Sequence, residues 1–280
     1  MEIVRARVLG FCGGVRRAVA MVEDAASKRG PIYTLHEIVH NQHVMDRLRD
    51  RGVILVNALS EVPNHVAVAL TAHGAPRQLI TGIRARDLAL IDATCPIVAD
   101  AQRRVAENTD SGRFTIIFGD REHLEVRSLL SQAGTAGAVA AESIDGLTIP
   151  SEDRLAIVAQ TTKSPRALQA FAADVRRQLR SEIDLLIQDT TCLEPVARYQ
   201  AARELAPHVD AMVIVGSAMS ANTRNLHAVC CESGTPAFFL EDAAGIDGST
   251  VAAYKSIGLT AGASTPDWVI DAVEARLSKL

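Results

Sequence analysis

Short runs of β-branched and aliphatic residues alternate with amphipathic stretches along the whole chain, and this alternation is what most limits the folds open to it. The runs Val66–Leu70, Leu88–Ile91, Thr115–Phe118, Leu155–Ala159, Leu185–Ile187, Ala211–Val215 and Ser256–Leu259 read as strands. Between them Gln42–Arg51, Pro96–Asn108, Ser164–Arg180, Val196–Leu205 and Pro266–Leu280 read as helices. Pro96 and Pro266 fall near a first helical turn, where a missing N–H breaks no bond. Strands spaced by helices imply βαβ units and an α/β fold with parallel sheets. At 280 residues, 48% apolar and 22% charged, the chain can build a globular core in one domain or several.

Many of the expected strands run into a short polar tip: Ala72-His73-Gly74, Asp92-Ala93-Thr94-Cys95, Gly119-Asp120, Gln160-Thr161-Thr162, Asp189-Thr190-Thr191-Cys192, Gly216-Ser217 and Thr260-Ala261-Gly262. Turns need Gly, Ser and Thr for backbone reasons alone. So many tips with reactive residues point further, because ligands of parallel α/β sheets bind beyond the carboxyl ends of the strands.

The formal net charge of −4 gives no basic field for nucleic acid. The pairs Arg103–Arg104 and Arg176–Arg177 fall on amphipathic helices and read as solvated faces. The start, MEIVRARVLG, reads as neither a signal nor a transit peptide, and no run reaches the length of a membrane span. A cytoplasmic protein with no membrane partner is expected. Five cysteines in a reducing compartment point to metal or catalysis rather than disulfides.

Three of the cysteines share a context. Cys12 lies between glycines in Gly10-Phe11-Cys12-Gly13-Gly14, with a helix expected just after it, and Cys95 and Cys192 end strands that precede helices. Leu90-Ile91-Asp92-Ala93-Thr94-Cys95 echoes Leu186-Ile187-Gln188-Asp189-Thr190-Thr191-Cys192, and the spacings of 83 and 97 residues suggest a pseudo-threefold arrangement. Helix N-terminal amides favour a thiolate or sulfide. Three such thiolates can hold three corners of a cubane cluster and leave one iron open; structural burial is the alternative, and zinc is disfavoured by the lack of a C-x-x-C pair. Cys230 and Cys231, mid-helix, read as core residues. His40, His73 and His123 sit at element ends, as an anion site would need, and Glu125 is placed to donate protons. His36, His43, His65, His208 and His227 read as surface or packing residues. The turns Ser217–Asn222 and Ala261–Ser264 offer hydroxyls and amides for an anion nest.

The stretches GFCGGV, HEIVHN, AHG, DATCPIV, REHLEV, QTTKS, DTTC, GSAMSAN and TAGASTPD, in this order, resemble the 4-hydroxy-3-methylbut-2-enyl diphosphate reductase (IspH/LytB) family nearly end to end. The resemblance implies three pseudo-threefold-related α/β domains with small, mostly parallel sheets around a central iron–sulfur cluster. Expected boundaries are 13–95, 96–191 and 192–280, with 1–12 packing against the third. It implies a 4Fe-4S cluster with three cysteine ligands, Cys12, Cys95 and Cys192. His40, His73, His123, Ser220, Asn222 and Ser264 would bind a small-molecule diphosphate. Glu125, His123 and Thr161 would be catalytic, and an external donor such as ferredoxin or flavodoxin would supply electrons for removal of an allylic hydroxyl.

The chain departs from the family pattern at Asp120, Ala218, Met219, Ala221, Leu193-Glu194-Pro195 and Tyr199. Loss of one hydroxyl to a bound anion costs about 1.5–3 kcal/mol, and Pro195 carries no backbone donor. These departures leave open a paralogous reductive dehydroxylase with another substrate. A non-enzymatic cluster-based redox sensor is a third reading, against which Glu125 and Thr161 argue, since a sensor needs no proton donor.

Overall fold

The alternation of strand and helix runs through the computed structural model, which describes residues 1–149 and 151–280 and, of Ala221, the backbone only. In chain order the elements begin β1 (Glu2–Arg5), α1 (Gly13–Arg29), β2 (Ile32–Thr34), α2 (Gln42–Asp50), β3 (Val53–Leu55), β4 (Ala67–Leu70), α3 (Arg77–Ala85), β5 (Ala89–Asp92) and α4 (Pro96–Asp110). The middle of the chain forms β6 (Phe114–Phe118), α5 (Leu124–Leu130), β7 (Ala138–Ala141), β8 (Arg154–Ala159), α6 (Pro165–Gln178) and β9 (Asp184–Ile187). The last part forms α7 (Glu194–Leu205), β10 (Ala211–Val215), α8 (Ala221–Glu232), β11 (Ala237–Leu240), α9 (Gly248–Val251), β12 (Ser256–Ala261) and α10 (Asp267–Leu277).

The strands form three four-stranded sheets, ordered β3-β2-β4-β5, β7-β6-β8-β9 and β11-β10-β12-β1, with parallel pairing throughout. The orders are the same pattern three times. The first strand of each set is flanked by the second on one side and by the third and fourth on the other. In the last set the fourth place is taken by β1, so the start of the chain completes the sheet made by its end. The α/β architecture with three small parallel sheets expected from the sequence is therefore present.

The chain divides into two compact units. One comprises Met1–Val19, Val39–Asp50 and Leu193–Leu280 and contains the sheet β11-β10-β12-β1. The other comprises Ala20–Ile38 and Arg51–Cys192 and contains the other two sheets.

Burial on both faces explains why the central strands are continuously apolar. In β10, Ala211, Val213 and Val215 pack with Val269, Ile270, Val273 and Leu277 of α10, while Met212 and Ile214 face Ala202 of α7 and Leu226 and Cys230 of α8. In the sheet β7-β6-β8-β9, Ile116, Phe118, Leu155 and Ile157 meet Leu168, Phe171 and Val175 of α6. Ile117 and Val158, pointing the other way, meet Ala101 and Val105 of α4 and Val126 and Leu129 of α5. Cys230 is core, as expected, but Cys231 is exposed: adjacent helical residues lie about 100° apart, and only one of them faces the sheet. Among the described residues, no helix is long and apolar enough to cross a membrane.

Candidate active site

Each of the three cysteines follows the fourth strand of its sheet: Cys12 after β1, Cys95 after β5 and Cys192 after β9. Each is held by the same bond. The Cys95 N–H donates to the Ala72 carbonyl at 3.0 Å, the Cys192 N–H to Thr161 at 2.8 Å and the Cys12 N–H to Ala263 at 3.0 Å. Each acceptor lies two residues beyond the end of the third strand of its sheet, β4, β8 or β12. All three cysteines are half-buried, and none of the chain's described cysteines is disulfide-bonded.

A helix follows each cysteine. Helix α1 starts at Gly13, α4 at Pro96 and α7 two residues after Cys192. The Val15 N–H in the first turn of α1 points at Cys12 Sγ, 3.4 Å away. A Cβ on Gly13 would meet no atom within 4 Å, so the backbone beside this thiol stands clear. Each of the three is a reduced, partly accessible thiol at a helix start, and a thiol so placed is chemically suited to ligate a metal cluster.

Two of the cysteines share a unit with four other candidates. Glu125 lies in the first turn of α5, which begins just past the β6 tip, and its carboxyl is buried. The Thr161 N–H donates to Glu125 Oε1 at 2.6 Å, and the Thr161 hydroxyl donates to Oε2 at 3.0 Å. The Thr161 carbonyl is also the acceptor for the Cys192 N–H, so one residue joins the carboxyl to the cysteine backbone. Burial pushes the Glu125 pKa up to about 7, against the two Thr161 bonds, which favour the carboxylate. Without that burial such a carboxyl is ionised at neutral pH and has no proton to give.

His123 caps α5. Its Nδ1 accepts the Glu125 N–H at 3.1 Å, which fixes Nδ1 as an acceptor and leaves the proton of the neutral ring on Nε2. The His73 ring meets the His123 ring edge-on at a centroid distance of 5.4 Å. Two residues invisible to the sequence reading hold these groups together. Ser128, on α5, accepts from the Gln102 amide and donates to the Ala75 carbonyl at 3.0 Å, pinning the turn after His73 to the helix that carries Glu125. Neither side chain belongs to a recognisable motif; only the fold brings them together.

The other unit holds Cys12, His40, Ser220, Asn222 and Ser264. Ser220 caps α8, accepting from the Thr223 N–H at 3.4 Å. Asn222 follows in the first turn, and its buried Oδ1 has no partner among the described residues. Turning this amide toward an anion therefore breaks no hydrogen bond at that oxygen. The Ser264 hydroxyl, nearly buried, donates to the His40 carbonyl at 3.3 Å, which brings those two candidates together.

Several of the departures from the family pattern find a place in their local surroundings. Pro195 lies in the first turn of α7, where its missing N–H costs no helix bond. Tyr199 packs with Ala202, Ala206 and Met212 in the core. Asp120 shapes the turn into His123, its carbonyl accepting the His123 N–H at 3.1 Å and its carboxylate the Glu122 N–H at 2.9 Å. The Ala218 N–H reaches Glu241, its carbonyl accepts from Arg224 at 2.7 Å, and Met219 is exposed. The side chain of Ala221 lies outside the described residues.

Comparison with known proteins gives one consistent result. Residues 3–278 match the family described as LytB protein. The 4-hydroxy-3-methylbut-2-enyl diphosphate reductase of Escherichia coli O9:H4 (strain HS) is 36% identical over an alignment covering all of this chain and 90% of the relative. The solved structure of (E)-4-hydroxy-3-methyl-but-2-enyl diphosphate reductase, the terminal enzyme of the non-mevalonate pathway, superposes with a TM-score of 0.79 at 29% identity, covering 100% of both chains. The E-1-hydroxy-2-methyl-but-2-enyl-4-diphosphate reductase of Plasmodium falciparum gives a TM-score of 0.85 at 27% identity, over 96% of this chain and 86% of that one.

Proposed function

The chain belongs to the LytB protein family, and on that premise we propose that it is a 4-hydroxy-3-methylbut-2-enyl diphosphate reductase. The allylic hydroxyl leaves as water, two electrons and two protons are taken up, and isopentenyl and dimethylallyl diphosphates are formed. The chain would be organised as the segments 13–95, 96–191 and 192–280, with 1–12 packed against the third; Cys12 closes the N-terminal stretch, Cys95 closes the first segment and Cys192 opens the third, and these three would hold a 4Fe-4S cluster. When bound, the cluster supplies electrons singly and Lewis acidity toward the departing hydroxyl.

The chain's own residues supply protons and position. Glu125, kept protonated near neutrality by burial, is the proton donor. Thr161 lies on its proton path, since its hydroxyl is bonded to Glu125 Oε2 and can turn to pass a proton on. His123 presents Nε2–H as a donor, and with His40, His73, Ser220, Asn222 and Ser264 it holds the diphosphate. Electrons come from a separate small redox protein of the ferredoxin or flavodoxin kind, in the cytoplasm.

The observation that carries this reading is the join of Glu125 through Thr161 to the backbone of Cys192. It attaches a protonatable carboxyl to a cluster ligand, as reductive dehydroxylation needs and bare electron transfer does not. The test is anaerobic loading with iron and sulfide, then an assay on 4-hydroxy-3-methylbut-2-enyl diphosphate with a chemical reductant. Turnover in the unmodified chain and its loss in Glu125→Gln, at unchanged iron and sulfide, support the reading. A loaded cluster that gives no turnover overturns it.

A further inference from the structure

The three cysteine segments are alike in the bond that holds each cysteine N–H, but they differ in what braces the residues just before it. At Cys95 the brace is internal: the Thr94 N–H donates to Asp92 Oδ1 at 3.0 Å. At Cys192 it is the same device one repeat later, the Thr191 N–H donating to Asp189 Oδ1 at 2.9 Å and the Thr191 hydroxyl to the same oxygen at 2.6 Å. These Asx turns let each segment stiffen itself. Cys12 has no such aid, because the position three before it is Leu9. Its segment is also longer, running from the end of β1 at Arg5.

What grips this segment comes from outside it. Arg198, on α7, is only 3% exposed. Its Nη2 and Nε donate to the Gly10 carbonyl at 2.8 and 3.2 Å, and Nη1 donates to the Glu194 carbonyl at 3.0 Å and to Glu194 Oε2 at 2.8 Å. Burying a guanidinium is costly unless its donors are matched, and here two of them converge on one carbonyl two residues before a cysteine. Gly10 has φ +72, and a Cβ there would press on Ile270 Cδ1 at 2.8 Å, so the gripped residue has little freedom.

We propose that Arg198 is a positioning residue for Cys12, doing from α7 what Asp92 and Asp189 do from within their own segments. The consequence for a metal cluster rests on the function proposed above; the brace itself does not.

The experiment uses the full chain as Arg198→Met, as Arg198→Lys (which keeps the charge where the apolar variant fails to fold), as Glu194→Gln and as Asp189→Ala. In cluster-free protein, alkylation of each cysteine is followed by mass spectrometry. Cys12 should react about tenfold faster in Arg198→Met and less so in Arg198→Lys, with Cys95 and Cys192 unchanged, as expected for losing charge-assisted bonds that hold a segment closed. Asp189→Ala should expose Cys192 alone, and Glu194→Gln, which leaves the Gly10 bonds in place, should change none of the three. In anaerobically loaded protein, chelator should strip iron about tenfold faster from Arg198→Met than from Glu194→Gln. An unchanged Cys12 rate, or equal acceleration of all three cysteines from general loosening of the fold, overturns the proposal. An unmodified chain that binds no iron overturns the cluster reading, and the alkylation pattern still decides the brace.

Discussion

Glu125→Gln should make the protein inactive and, above neutral pH, more stable. The wild-type carboxyl is buried, and its pKa rises from 4.5 to about 7. The folded state therefore holds this proton more tightly than the unfolded state. The stability this confers is complete below pH 4.5, falls as pH rises through the folded pKa and levels off above it. The fall is about 3 kcal/mol, the free energy of burying the carboxylate against its two Thr161 bonds. Glutamine has the same shape and does not titrate. Its oxygen accepts the Thr161 N–H, and its NH2 donates to the Thr161 hydroxyl, which can reverse its role. Thermal melts of the anaerobic holoprotein should thus show a Tm difference in favour of the variant that opens by about 5 °C between pH 5 and pH 8. Loss of a general acid should lower kcat by about 10²–10⁴-fold in the same sample. Parallel pH–stability curves, or a kcat within tenfold of wild type, would refute the argument that burial keeps this carboxyl protonated for proton delivery.

Other outcomes follow from single contacts. Thr161→Val keeps the backbone bond to Glu125 but removes the hydroxyl that stabilises its carboxylate, so the Glu125 pKa rises; the alkaline limb of the pH–kcat profile should move up by about one pH unit, with a lower plateau. Ser220→Ala removes the N-cap of α8 and a hydroxyl assigned to the diphosphate; it should cost about 1 kcal/mol of stability by urea denaturation, and KM should rise while kcat holds. Gly74→Ala forces a side chain onto a φ of +79 and into the Gln102 amide; a lower Tm together with lost activity is expected, because His73 precedes this turn and Ser128 ties it to the helix of Glu125.

Strands buried on both faces, such as Ala211–Val215 and Leu155–Ala159, were legible as unbroken apolar runs, and the parallel α/β class followed from them. The strands that escaped are Glu2–Arg5, Ile32–Thr34, Val53–Leu55, Ala138–Ala141 and Ala237–Leu240, each of three or four residues, and all but Ile32–Thr34 lie at sheet edges. So short a run shows neither a period of two nor enough apolar mass to stand out from a loop. Helix α5 escaped for a related reason: at seven residues it makes two turns, too few to show a period, so no helix was expected where His123 is the cap and Glu125 lies in the first turn.

The candidate site was legible where chemistry is carried by a residue within a local pattern, and silent where it is carried by the partner of such a residue. Asp92-Ala93-Thr94-Cys95 and its echo before Cys192 showed two equivalent cysteines, yet the reason for the aspartates is visible only once each carboxylate is seen to hold the threonine amide before its cysteine. Cys12 has no third copy of that pattern, because its fourth strand comes from the other end of the chain and its brace from α7. The repeat is thus a property of the fold before it is one of the sequence. The bonds from Cys12, Cys95 and Cys192 to the third strand tips recur three times because they are backbone bonds, which any side chain permits. The braces vary because each is made by whatever side chain lies in reach, and this leaves Arg198 to do by long-range contact what two aspartates do locally.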